Sequence, residues 1–202
     1  MLKIFLMGKQ RAGKDTTADI LVRKYGFKKY ALAEGVYEVA KKYFGMKEKD
    51  RRLLIDIGEK MREIKPTVWT EYTWKRILKD NPERVVISDV RLRVEYVYLK
   101  KLGFIPVYIH APQYIRTKRP GYNPEFENHR TENELNPKDG EYIINNVYTL
   151  DILEKHVDLL VASRLVATKS DLDSDLLKAK YTQTIYSYKI TATNKEVDEN
   201  DT

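Results

Sequence analysis

The chain reads as blocks of two kinds. Short apolar runs alternate with longer stretches in which apolar residues return every three or four positions, the pattern of strands alternating with amphipathic helices. Residues 1–7 are the first apolar run and predict a buried strand, followed by a helix over 17–25. After Gly26, residues 27–33 predict a short strand or extended segment. Residues 34–44 then predict a helix with Val36, Val39, Ala40 and Tyr43 on its apolar face, stopped by Gly45. Residues 48–64 form a second helical stretch with Leu54, Ile57 and Met61 on one side, broken at Pro66. Thr67 is placed to cap a helix over 68–78 in which Trp69, Tyr72 and Ile77 pack. Residues 84–90 are a strand of β-branched residues, 94–102 a helix closed by Gly103, and 105–109 the next strand. Residues 141–144 resume as a last short strand. Residues 150–162 follow as an amphipathic helix with Leu150, Leu153, Val157, Leu160 and Val161 facing inward. This order predicts an α/β fold, a three-layer α/β/α sandwich with a mostly parallel sheet.

Two regions break the pattern. Residues 110–141 hold four prolines, two glycines and a cluster of His and Arg, which reads as a long functional loop. Residues 163–202 contain no Gly or Pro. Within them 171–180 suits a short helix, Tyr186, Tyr188, Ile190 and Ala192 alternate like one strand face, and 194–202 reads as a frayed tail.

The first strand and helix are joined by Gly8-Lys9-Gln10-Arg11-Ala12-Gly13-Lys14-Asp15-Thr16. Strand, glycine-bounded turn, Lys, hydroxyl and helix make the context of a phosphate-binding P-loop. Gly8 and Gly13 allow unusual dihedrals, the N–H groups between them, those of Arg11 and Ala12 included, form an anion cradle, and the helix adds its positive end. Lys14 would reach the β- and γ-phosphates, with Thr16 or Thr17 supplying a hydroxyl near Mg²⁺. The pattern departs in one place: Asp15, not Ser or Thr, directly follows the Lys.

Composition narrows the setting. The 202 residues suit one domain with an appendage, and 42 % hydrophobic with 33 % charged residues suits a soluble globular protein. No run of about 18 apolar residues suggests a membrane span. Residues 1–3 lead straight into a strand and not into a signal peptide, and a cytoplasmic location is expected. The absence of Cys excludes disulfides, thiolate metal sites and cysteine catalysis. The net charge is +7, but residues 163–202 hold six Lys/Arg against seven Asp/Glu, so the basic excess belongs to residues 1–162. A basic body attracts anions, either nucleic acid or a phosphorylated small molecule. No helix-turn-helix, zinc or RNA-binding motif supports the former.

Asp89 and Arg91 stand at the carboxyl end of a strand expected to be buried, the edge where open α/β sheets bind ligands. Asp89 would bind Mg²⁺ through water, orient an acceptor phosphate or steady the P-loop. Arg91 would grip a phosphate. Arg62 is either a second phosphate ligand or one solvated Arg among many. Arg116, Arg119 and Arg130 lie in the long loop and would close over a migrating phosphoryl group, Arg116 and Arg119 pointing the same way on a helical turn. His129 reads as structural, and Trp69, Tyr72 and Trp74 as core.

Residues 8–20 resemble the P-loop of the deoxynucleoside monophosphate kinases of T-even-type bacteriophages and their relatives. The Gly-Lys-x-Thr spacing is similar to that of many nucleoside monophosphate kinases, adenylate kinase among them. Ala31 to Glu34, Asp56 to Arg62 with Trp69, Val86 to Arg91 with Glu95, His129 to Glu132, and Tyr142 to Asn146 resemble further elements of the same group, usually with Asp where Glu34 stands and Ser where Thr131 stands. The resemblance covers residues 1–162, a P-loop kinase domain with an acceptor-binding helical region over about 34–80 and a lid-like loop over about 111–140. It implies phosphorylation of a deoxynucleoside monophosphate with ATP and Mg²⁺, with Gly8 and Arg11 to Thr17 at ATP. It implies Glu34, Arg62, Trp69, Asp89, Arg91 and Glu132 at the acceptor, Lys14, Arg116, Arg119 and Arg130 in catalysis, and Thr16 and Asp89 near the metal. The same skeleton serves kinases of phosphomevalonate and dephospho-coenzyme A, and a nucleotide- or nucleic-acid-binding role without turnover is the reading of another class. For residues 163–202, covering the sheet edge and homodimerisation both stay open, the latter implied only by the resemblance.

Overall fold

The computed structural model describes residues 1–168. They fall into two compact units, the first Met1–Glu154 and the second beginning at Lys155. In the first unit β1 (Leu2–Met7), β2 (Lys28–Tyr30), β3 (Arg84–Ile87), β4 (Ile105–His110) and β5 (Tyr142–Asn145) form one sheet in the order β2-β3-β1-β4-β5. Every pairing is parallel, Ile4 facing Val86 on one side and Ile105 on the other. Ile4, Phe5, Leu6 and Met7 are each 0 % exposed, as a central parallel strand covered on both faces requires. The core continues through Tyr30, Val85, Ile87, Leu99 and Phe104, with Phe5 set edge-on to Tyr96.

The strand order places the site. The chain leaves β1 for β2 on one flank and later crosses to β4 and β5 on the other. The carboxyl ends of β1, β3 and β4 therefore open onto one crevice.

α1 (Lys14–Tyr25) starts at left-handed Gly13 and stops at left-handed Gly26, whose N–H returns to the Leu21 and Val22 carbonyls. α2 (Ala33–Phe44), α3 (Arg51–Ile64) and α4 (Val68–Asp80) pack on one another between β2 and β3, and α5 (Arg93–Lys101) precedes β4. Several expectations are corrected. α3 begins at Arg51 because Asp50 caps it, accepting from the Leu53 N–H at 3.0 Å. Thr67 does not cap α4, since its hydroxyl donates to Glu71 at 2.6 Å. Tyr43 and Leu150 are exposed, one at the last turn of α2 and the other at the first residue of the helix that begins at Leu150. Residues 111–140 are not continuous loop. They hold α6 (Gln113–Arg116), α7 (Arg130–Asn133) and 3₁₀ turns at Pro124–Phe126 and Pro137–Asp139. Pro112, Asn123, His129 and Asn136 open these four in turn, and the last three accept local N–H groups.

α8 (Leu150–Thr168) runs past the expected end and crosses into the second unit, with Leu153, Val157, Leu160 and Val161 buried. The helix expected over 171–180, the alternation from Tyr186 and the tail over 194–202 lie outside the described residues. Among the described residues no helix is long and apolar enough to cross a membrane.

Candidate active site

The turn after β1 adopts the conformation that its glycines predict. Gly8, Arg11 and Gly13 have φ of 136°, 58° and 108°. The Ala12 N–H closes on the Lys9 carbonyl at 3.1 Å. Lys14 is buried and folds back over the turn, Nζ donating to the carbonyls of Gly8 at 2.6 Å and Lys9 at 2.9 Å. Burial above all, then repulsion from Arg91, lowers its pKa to about 7, against weaker opposing pulls from Glu132, Asp15 and Asp89. Of the two candidate hydroxyls, Thr17 is committed, donating to the Gly13 carbonyl at 3.0 Å, while Thr16 is exposed on the first turn of α1. Asp15 turns outward to Lys29 at 3.1 Å.

A cleft of about 400 Å³ opens beside the P-loop tip, between α2, α3, the end of β3 and the segment 111–140. Gln10, Arg62, Asp89, Arg91 and Glu132 all line it. Arg62 Nη2 pairs with Glu95 at 3.1 Å, and its Nε is buried with no hydrogen-bond partner. Glu95 also accepts the Arg91 and Leu92 N–H groups at 3.0 and 3.1 Å, and burial raises its pKa. Arg91 pairs with Glu132, whose other oxygen accepts the Gln10 N–H.

Asp89 uses both oxygens on the start of α2, accepting from Leu32 at 2.7 Å and Ala33 at 2.9 Å. It thereby ties the end of β3 to the acceptor wall, and burial raises its pKa against the pull of those two N–H groups. Asp89→Asn keeps one acceptor and turns an NH₂ toward the other N–H. The expected loss is about 1–3 kcal/mol, read as a lower midpoint in urea at unchanged slope.

Two residues expected at the acceptor lie outside the cleft lining. Trp69 is 3 % exposed, and its Nε1 donates to the Gly58 carbonyl at 3.2 Å. Glu34 pairs with Arg76 and accepts the Ala31 N–H at 3.2 Å. Trp69 is held in the core by that bond, while Glu34 stays half-exposed on its pair with Arg76. Arg130 is also corrected: it is exposed and paired along α7 with Glu134. α6 ends at Arg116, and one more hydrogen-bonded turn follows, the Arg119 N–H donating to the Arg116 carbonyl at 3.1 Å. Both arginines reach the P-loop tip. Arg116 is buried, bidentate on Glu127 at 2.6 and 2.9 Å, and touches the Gln10 carbonyl at 3.3 Å. The Arg116 guanidinium holds Glu127 down to about pKa 2. Arg119 donates to the carbonyls of Arg11 at 2.6 Å and Asn146 at 2.8 Å. His129 caps α7 through Nδ1.

Gln10, Glu95, Glu127 and Asn146 join the site without a motif of their own in the sequence. Asn146 donates from Nδ2 to the Ala12 carbonyl at 2.7 Å, and so braces the P-loop from beyond β5. Only Glu95, four residues after Arg91, and Asn146, in a paired Asn turn, carried a local signal.

A central parallel strand, a phosphate turn and a cleft beside it have counterparts of known structure. TT1252 from Thermus thermophilus superposes with a TM-score of 0.57 at 18 % identity, over 80 % of this chain and 96 % of its own. An unliganded sugar kinase from Janibacter sp. HTCC2649 gives 0.54 at 14 % identity, over 80 % and 95 %. Shikimate kinase from Acinetobacter baumannii, in complex with shikimate, gives 0.50 at 19 % identity, over 82 % and 96 %. The fold is that of P-loop kinases. Residues 3–64 match the family model of deoxynucleotide monophosphate kinase, a stretch running from β1 to the end of α3. Uncharacterized protein ORF76 of Ictalurid herpesvirus 1 (strain Auburn) is 30 % identical over 116 residues, 54 % of this chain and 48 % of its own length. The match thus spans about half of that curated relative.

Proposed function

We propose that this protein transfers the γ-phosphoryl group of ATP to a deoxynucleoside monophosphate. The observation that carries the reading is the cleft that opens directly beside the P-loop tip with Arg62 and Arg91 in its lining. The match of residues 3–64 supports the acceptor class. The P-loop N–H groups and Lys14 would hold the donor phosphates. The guanidinium donors that Arg62 and Arg91 present to the cleft would take the acceptor phosphate. An acceptor oxygen then bonds to the γ-phosphorus as the bond to the β–γ bridging oxygen breaks, releasing ADP. That oxygen is already anionic near neutral pH, so no general base is required and the protein supplies alignment and charge. Arg119 at the Arg11 carbonyl and Arg116 at the Gln10 carbonyl keep the segment 111–140 over the transferring group.

The donor set suits Mg²⁺ held mainly by phosphates and water. Among the described residues no group of three His, Cys, Asp or Glu could hold an ion, while the Thr16 hydroxyl is exposed beside Lys14. Thr16 would hold the ion directly and Asp89 through water. Held there, Mg²⁺ would supply positive charge to the donor phosphates.

The test is ADP formation from ATP and Mg²⁺ with each dNMP and NMP in turn, Lys14→Ala serving as blank. Turnover with a dNMP supports the reading. Turnover only with other phosphorylated acceptors overturns the substrate class, and no turnover with any acceptor overturns the activity.

The lowered pKa of Lys14 gives a second expectation. In the unfolded chain this amine keeps its ordinary value of 10.5, and in the ligand-free fold it falls to about 7. Between those values the unfolded state binds the extra proton, so this group adds stability as pH rises through that window. A bound triphosphate restores the charged form. ATP binding at pH 8 is therefore expected to take up about one proton, fading below pH 6. Calorimetry in two buffers of different ionisation enthalpy reads it, and Lys14→Met is expected to abolish it.

A further inference from the structure

Two buried carboxylates stand behind the two arginines of the cleft, and they differ in what carries them. Glu95 belongs to α5 and holds Arg62 at 3.1 Å with its side chain 3 % exposed. Glu132 belongs to α7, inside the segment 111–140, and holds Arg91 with its own side chain 3 % exposed. Arg62 is therefore oriented by the body of the fold, and Arg91 by the segment.

The second oxygen of Glu132 accepts the N–H of Gln10 at the P-loop tip. The segment grips the same tip elsewhere. Gln10 Nε2 donates to the Asn123 carbonyl at 2.7 Å, and its Oε1 accepts the Asn123 N–H at 3.2 Å. Lys9 pairs with Glu127 at 3.2 Å, and Arg116 reaches the Gln10 carbonyl at 3.3 Å. Glu132 travels with the segment, so moving the segment off the tip breaks its pair with Arg91 and its bond to the Gln10 N–H, or drags Arg91 along, and the two motions are linked.

We infer that Glu132 is a positioning residue. It aligns Arg91 only while the segment 111–140 rests on the P-loop tip, so capture of the acceptor phosphate depends on that docking. The role of Arg91 rests on the reading given under Proposed function; the link between Glu132 and docking does not. One arginine donor is spent on Glu132, and the remaining N–H groups of the guanidinium are left for a phosphate.

Glu132→Gln tests it, keeping the side-chain shape and an oxygen for Gln10 while removing the charge that fixes Arg91. The KM for the dNMP is expected to rise about tenfold with the KM for ATP within about twofold, because a charge-assisted contact has been lost on the acceptor side alone. Glu132→Asp keeps the charge and is expected to recover part of the acceptor KM. Gln10→Ala cuts the side-chain contacts to Asn123 and is expected to raise the acceptor KM in the same direction. Without substrates, trypsin is expected to cut after exposed Lys118 several-fold faster in Glu132→Gln than in wild type. Equal cleavage, or both KM values rising together, overturns the inference. A wild-type protein that phosphorylates no dNMP overturns the functional reading instead, and the cleavage comparison still decides whether Glu132 holds the segment.

Discussion

Lys14→Ala is expected to lower turnover by about 10²–10³-fold while leaving the protein folded. The magnitude is that of removing one preorganised charge from a developing anion, about 3–4 kcal/mol in the transition state. The fold should tolerate the change for a reason visible in the ligand-free site. Lys14 is buried, and its surroundings favour the neutral amine, with a pKa of about 7. Below that pH its charge opposes folding, so truncation removes an electrostatic burden along with some packing of its stem. The Gly8 and Lys9 carbonyls that it satisfies belong to half-buried residues of the turn, where water can replace it. A thermal midpoint within a few degrees of wild type, measured with the loss of turnover, checks both halves. A mutant at wild-type rate would remove Lys14 from the chemistry.

Gly8→Ala is expected to be the most destabilising single methyl in the first unit. A Cβ built on Gly8 lies 2.3 Å from the Ile109 carbonyl oxygen, at φ of +136°. That oxygen belongs to the backbone of β4, adjacent to β1 in the sheet, and has no rotamer by which to retreat. Backbone strain and overlap together are expected to remove on the order of 3–5 kcal/mol. Gly26→Ala separates the two contributions. Gly26 has φ of +66° and nothing within 4 Å of the added methyl, so only the left-handed penalty of about 1 kcal/mol applies. Urea melts of the two variants measure the difference. Equal losses would show that the approach of β4 to the P-loop is unimportant.

The two predictions draw on different levels of the molecule. Lys14, Gly8 and Gly13 were legible along the chain, because a phosphate turn is local: its residues are neighbours and its dihedrals demand glycine. The apolar run of β1 was legible for the same kind of reason, since Ile4 to Met7, covered on both faces, leave no polar position. Periodicity also located α2, α4 and α5 to within a residue or two. It failed where the governing contact was a cap or a partner from elsewhere. Asp50 moved the start of α3, and the Asn, His and Pro caps built short helices inside a stretch that looks irregular.

Residue types and spacing along the chain determined by themselves the alternating α/β architecture, the phosphate turn and the acid and arginine at the end of β3, because each depends on near neighbours. Tertiary structure alone decided which charges meet. Arg91 and Glu132 lie 41 positions apart, and Gln10 and Glu132 lie 122 apart. Trp69 and Glu34, plausible as ligands, lie outside the cleft lining, the indole N–H on the Gly58 carbonyl and the carboxylate on Arg76. Arg130 went to solvent beside Glu134, while Arg116 went inward because Glu127 was there to pair it. Burial selects among charged side chains by whether a partner closes the pair, and the folded chain is what brings that partner near.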